Sequence, residues 1–168
     1  MGQEGMRGSG KTRIFKYAEV CSQKRMSLGS LYFSEAAEYG CFEIVKYAHE
    51  KGCPANKGII SGAVSSGSLE MVKYLHQNGY PWNEEYTCAA AVTWGHFEIL
   101  KYARENGCPW DYDTYCMAIK YDRFDMLQYA FDNNCPLGSG YAIIDYYERS
   151  NNEEIKNLIG ERGILEMR

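Results

Sequence analysis

Residues 95–110 read GHFEILKYARENGCPW, and this stretch decides the fold. Its apolar residues Phe97, Ile99, Leu100 and Ala103 follow the i, i+3, i+4 spacing that draws one stripe along a helix. Glu98 falls in the first turn, where a negative charge suits the positive end of the helix dipole. Gly107 supplies a C-cap and Pro109 forbids continuation. The phrase is therefore a helix of about three turns with its stop signal written into it.

The same phrase returns as GCFEIVKYAHEKGCP at 40–54, GSLEMVKYLHQNGYP at 67–81 and DRFDMLQYAFDNNCP at 122–136, at steps of 27, 28 and 27 residues. A further step reaches Ser150 and the degraded copy SNNEEIKNLIGERG, while Arg13–Ala18 echoes half a unit. Each phrase is preceded by a second, shorter helical pattern. LYFSEAAEYG (31–40) puts Phe33, Ala36 and Ala37 on one face, YTCAAAVTWG (86–95) puts Cys88, Ala91 and Val92 there, and DTYCMAIKYD (113–122) puts Tyr115, Ala118 and Ile119 there. A hairpin of two such short helices cannot bury its apolar face alone. Stacking one hairpin on the next supplies the missing contacts, so the spacing predicts an all-α solenoid.

The expected organisation is a flexible tail at 1–12, a repeat domain at 13–163 and a short tail at 164–168. Within the domain the divisions are a half unit at 13–29 and units near 30–56, 57–83, 84–111, 112–138 and 139–163. The last unit gains charges at Glu153, Glu154, Lys156, Glu161 and Arg162, as a solvent-facing terminal cap requires.

These residues resemble ankyrin repeats. EAAEYGCFEIVKYAHEKGC (35–53) and AAAVTWGHFEILKYARENGC (89–108) are similar to the second half of the ankyrin unit, although the threonine-proline start is missing and ankyrin units run about 33 residues. The shortening falls in the loop after the second helix (CPANK, YPWNEE, CPWDYD and CPLGSG), so the expectation is stunted β-hairpin fingers with little or no strand. Short units of this kind resemble the ankyrin proteins of giant DNA viruses and of some algae and oomycetes. The resemblance implies a non-catalytic scaffold that binds a protein partner, a host protein if the chain is viral, on its concave face. It implies contact positions just before the first helix and between the two helices. Carried onto this chain, the inter-helix positions are Glu38 and Tyr39, Ser65 and Ser66, Thr93 and Trp94, Lys120 and Tyr121, and Glu148 and Arg149. Tyr39, Ser66, Trp94, Lys120, Tyr121 and Arg149 are the candidate protein-binding residues. Tyr, Trp and Arg dominate interface hot spots; the alternative is that each aromatic packs over the adjacent turn.

Composition restricts the alternatives. With 18 Lys and Arg against 22 Asp and Glu, the net charge of −4 argues against general electrostatic attraction to nucleic acid or anionic membrane. The N-terminus lacks a secretory signal's apolar core, and no apolar run approaches bilayer-spanning length. The seven cysteines have neither Cys-x-x-Cys pairing nor zinc-finger spacing, and read as reduced, buried thiols of a cytoplasm-like compartment. An intracellular monomer without metal or cofactor is expected.

One enzymatic motif competes. Gly5-Met6-Arg7-Gly8-Ser9-Gly10-Lys11-Thr12 satisfies the phosphate-loop pattern, but that motif needs a strand before it, and only Met1–Glu4 precede Gly5. A nucleotide-binding protein using GMRGSGKT, or a decayed repeat copy without a dedicated partner, are the alternatives to the scaffold. His49 and His76 share one repeat position with Arg104 and Phe131, which implies a surface-facing site, and the ankyrin resemblance implies that His96 fixes the turn between helices. Cys53, Cys108 and Cys135 share a position with Tyr80, which implies packing rather than nucleophilic chemistry. Trp82 and Trp110 are expected as buried plugs under the shortened loops, and Tyr47, Tyr74, Tyr102 and Tyr129 as a structural ladder.

Overall fold

The computed structural model describes residues 33–56, 58–82, 86–138 and 140–163. The expected tails at 1–12 and 164–168 and the half unit at 13–29 lie outside the described residues. Among the described residues the chain forms ten helices and no strand. It divides into two compact units, Met1–Pro81 and Trp82–Arg168.

The first unit holds α1 (33–38), α2 (Phe42–Glu50), α3 (Ile59–Ser65) and α4 (Leu69–Gln77). Phe33, Ala36 and Ala37 of α1 are buried, as are Ile44, Val45 and Ala48 of α2. Small residues let α1 and α3 approach closely. A Cβ on Gly62 would lie 3.0 Å from Glu38 Cγ and 3.5 Å from Ala37 Cβ. Ser68 caps α4 by accepting from the Met71 amide, a contact worth about 1 kcal/mol at such a position.

The second unit holds α5 (Thr87–Trp94), α6 (Phe97–Glu105), α7 (Tyr112–Lys120), α8 (Phe124–Asp132), α9 (Tyr141–Arg149) and α10 (Glu153–Glu161). Within this unit α5 packs on α7 and α7 on α9, while α8 packs on α10. The three shorter-pattern helices therefore form one row. Leu100, Ala103, Leu127, Ala130, Ile143 and Ile159 are among the residues that fill its core. Complete burial of such an aliphatic side chain contributes about 1.5–3 kcal/mol.

Helix ends follow one rule through most of the chain. After α6, Gly107 adopts φ +77°, its amide bonds to the Arg104 carbonyl, and the Cys108 amide bonds to the Ala103 carbonyl. That is the Schellman pattern, and only glycine or a short amide or acid side chain enters its left-handed position at low cost. Asn134 and Asp122 take the same conformation at φ 55° and 54°, which explains why Asn and Asp stand where the other phrases have Gly. The end of α9 departs: Ser150 there is extended at ψ 138°, in the copy whose sequence had drifted furthest.

Several side chains differ from their sequence reading. His49 is half-buried rather than surface-facing: its Nδ1 shares a 2.8 Å hydrogen bond with the Tyr74 hydroxyl, and its ring stands edge-on to Tyr74 and Tyr80. Trp82 and Trp110 are half-buried, not enclosed. The Trp82 indole donates to the Asn106 carbonyl at 3.1 Å, and Trp110 lies between Tyr129 and the Arg104 guanidinium. Both tryptophans are thus lateral braces that remain partly exposed. Cys53 is disulfide-bonded, which corrects the expectation that every cysteine is reduced; Cys41, Cys88, Cys108, Cys116 and Cys135 are free.

Candidate protein-binding surface

Four of the six candidate residues sit at the C-terminal ends of the row formed by α5, α7 and α9. Trp94 and Lys120 are the last residues of α5 and α7, Tyr121 caps α7, and Arg149 ends α9. Two contacts show that these ends are neighbours. A Cβ on Gly95 would meet the Arg123 guanidinium carbon at 3.0 Å, which joins the turn after α5 to the turn after α7. Lys120 and Arg149 line one hollow of about 380 Å³ together with Asp122 and Tyr146, which joins the ends of α7 and α9. A second hollow of about 290 Å³ adjoins it, sharing Asp122 and lined also by Arg123 and Phe97.

Trp94 is 58% exposed and Tyr121 39%, so both rings are open in part to solvent. The Lys120 ammonium lies 5.2 Å from the Tyr121 ring centroid, a cation–π distance. Arg149 pairs with Asp145 one turn back at 3.0 Å. Both partners are well exposed, so that pair adds little to stability.

Tyr39 and Ser66 belong to the first unit. Tyr39 follows α1 and is 63% exposed. Ser66 is different: its hydroxyl donates to the Ala63 carbonyl at 2.8 Å, and a Cβ on Gly40 would sit 3.7 Å from its own Cβ. It therefore closes the end of α3 and is half-buried. Its polar group is thus already used to close a helix end within the fold. Thr93 and Ser65 behave similarly, each donating to the carbonyl four residues back.

A second set of exposed aromatics went unassigned in the sequence. Tyr86, Tyr112 and Tyr141, at 58%, 41% and 67% exposure, stand at the N-terminal ends of α5, α7 and α9. The signal was present for one of them: Tyr86 stands just before its helix, one of the contact positions implied by the ankyrin resemblance, whereas Tyr112 and Tyr141 open theirs. Between the two sets, α5 presents only half-buried small side chains at Ala89, Ala90 and Thr93.

No group of three or more His, Cys, Asp or Glu side chains among the described residues is placed to hold a metal ion. No helix among them is long and apolar enough to cross a membrane. The GMRGSGKT motif at 5–12 lies outside the described residues. No protein-family model, no curated protein and no solved structure matches the chain.

Proposed function

We propose that the chain is a non-catalytic protein-interaction scaffold, an ankyrin-like helix-turn-helix solenoid of about five repeats whose partner docks across its first helices. The observation that supports this reading best is the exposure of large aromatics at one register position, Tyr39, Trp94 and Tyr121, in three separate helix pairs. Burying one such ring against a partner contributes on the order of 1.5–3 kcal/mol. Lys120 and Arg149 add charged groups at the rim, which favour orientation and encounter rate over raw affinity.

The test is a pull-down from cell lysate with wild type and a Tyr39→Ala/Trp94→Ala/Tyr121→Ala variant whose helicity is verified by circular dichroism. A protein retained by wild type and lost by the folded variant supports both the scaffold and the face. Equal capture by both removes the face and leaves the scaffold. Capture by neither favours a repeat copy without a dedicated partner.

A further inference from the structure

Two buried thiols of the second unit lie in contact. The Cys88 thiol, at the start of α5, donates toward the Cys108 sulfur across 3.5 Å, and the side chains are 2% and 0% exposed. That separation needs only about 1.5 Å of approach to reach the disulfide bond length. The surroundings of Cys108 are also unusual. Arg104 donates Nη1 to the Cys108 carbonyl and stacks on Trp110 at 4.2 Å. Its Nε is buried without a hydrogen-bond partner. Among the described residues no carboxylate forms an ion pair with Arg104. A part-buried guanidinium without a carboxylate therefore stands beside a pair of touching thiols, and a thiolate there is its natural counter-charge.

We propose that Cys108 and Cys88 form a hydroperoxide-reactive pair, in which the Cys108 sulfur attacks the peroxide and Cys88 converts the product to an intrachain disulfide. Hydrogen bonds from Cys88 and Thr87 and the Arg104 charge hold the Cys108 thiol below its ordinary range, whereas the hydrogen bond to Cys108 and burial push Cys88 far up. Arg104, bonded to the Cys108 carbonyl, places its charge on the Cys108 side of the pair, which makes Cys108 the attacking sulfur and Cys88 the resolving one.

In the first step a lone pair of the Cys108 thiolate forms an S–O bond as the O–O bond of hydrogen peroxide breaks; the departing hydroxide takes a proton and leaves as water. In the second, the Cys88 sulfur forms the S–S bond as the S–O bond breaks. The Cys88 proton leaves with the hydroxyl as a second water. Two electrons pass from the sulfurs to the peroxide, and no other oxidant is required.

Access is through the loop. Cys108 lies between exposed Gly107 and exposed Pro109, so a local opening of that short segment admits a molecule as small as hydrogen peroxide.

The experiment treats the folded full chain with substoichiometric hydrogen peroxide, alkylates the remaining thiols and maps disulfides by mass spectrometry. The expected product is a peptide pair linked through Cys88 and Cys108. Cys116 is an internal reference, because burial pushes its thiol up to about 11. Cys108 should therefore be consumed before Cys116. In Cys88→Ser, Cys108 should accumulate as a sulfenic acid trapped by dimedone, and Cys108→Ser should leave Cys88 unmodified. Equal reaction of Cys108 and Cys116, a disulfide from Cys108 to Cys135, or reaction only after denaturation each overturns the proposal. The wild-type map decides even if a serine variant fails to fold.

Discussion

Tyr115 offers the sharpest test of how the second unit is held together. It is 1% exposed, and its hydroxyl donates to the Cys135 carbonyl at 2.8 Å and, more weakly, to the Ala130 carbonyl at 3.3 Å. Its ring lies against Phe131 with centroids 4.6 Å apart. One side chain of α7 thereby fastens the loop that follows α8. Tyr115→Phe keeps the ring and removes the donor. The Ala130 carbonyl retains the Cys135 amide at 3.0 Å, but the Cys135 carbonyl loses the bond that Tyr115 makes to it. Leaving one buried acceptor unsatisfied costs about 1–3 kcal/mol. Tyr115→Ala adds the cavity left by an aromatic ring, for about 3–5 kcal/mol.

Urea denaturation followed by far-ultraviolet circular dichroism measures both, with Tyr121→Phe as the control. Tyr121 is exposed, and its variant should stay within about 0.5 kcal/mol of wild type. The two Tyr115 variants should shift the midpoint in the order Ala beyond Phe at unchanged slope. A Tyr115→Phe protein indistinguishable from wild type would refute the reasoning, because a buried 2.8 Å bond to a carbonyl cannot be removed without consequence.

Three further outcomes follow from the same geometry. Trp110→Ala should cost about 1–3 kcal/mol, below the ~3–5 kcal/mol of an enclosed aromatic, because the indole is already partly exposed; chemical denaturation distinguishes the two. Gly95→Ala should destabilise more than Gly107→Ala in thermal unfolding. Both positions have positive φ, but a Cβ at Gly95 also presses on Arg123 at 3.0 Å whereas at Gly107 it meets nothing. Stability should fall as pH rises above 9, the ordinary thiol value, and continue falling through about 11 and 12. Burial raises Cys116 to about 11 and Cys135 to about 12, so the folded state holds these protons more tightly than the unfolded chain does. Repeating an alkaline titration by circular dichroism with Cys116→Ala should flatten the loss between pH 9 and 11.

The helices were legible because their grammar is local. An i, i+3, i+4 stripe, a Gly or Asn stop and a following Pro specify α2, α4, α6 and α8 within ten residues each, without reference to anything distant. The small-residue faces of α1, α5 and α7 were readable for the same reason. What escaped was side-chain environment set by two elements at once. His49 looked solvent-facing because Arg and Phe replace it in other phrases, yet its neighbours here are Tyr74 and Tyr80, and the same register position meets different partners in each pair. Trp110 looked enclosed because it is large and apolar; its surroundings depend on Arg104 one loop away. The Cys88–Cys108 contact was invisible for a related reason, since no spacing rule links the start of one helix to the loop twenty residues on.

The exposed aromatics and the buried core answer to different physics, and that separation makes the proposed face testable. Each inter-helix turn described is only two or three residues long, as at Gly95–His96 and Tyr121–Arg123 between their helices. No further element of its own helix pair lies beyond the end of α5 or α7 to cover Trp94 or Tyr121. Removing an exposed ring forfeits little packing, so each of Tyr39→Ala, Trp94→Ala and Tyr121→Ala should change stability by no more than about 0.5 kcal/mol. Ser66→Ala should cost more than any of them, despite its smaller side chain, because its hydroxyl closes the end of α3. A loss of binding in the triple-aromatic variant then reports the surface alone. If those three substitutions instead unfold the chain, the rings are structural and the docking face must be sought at Tyr86, Tyr112 and Tyr141.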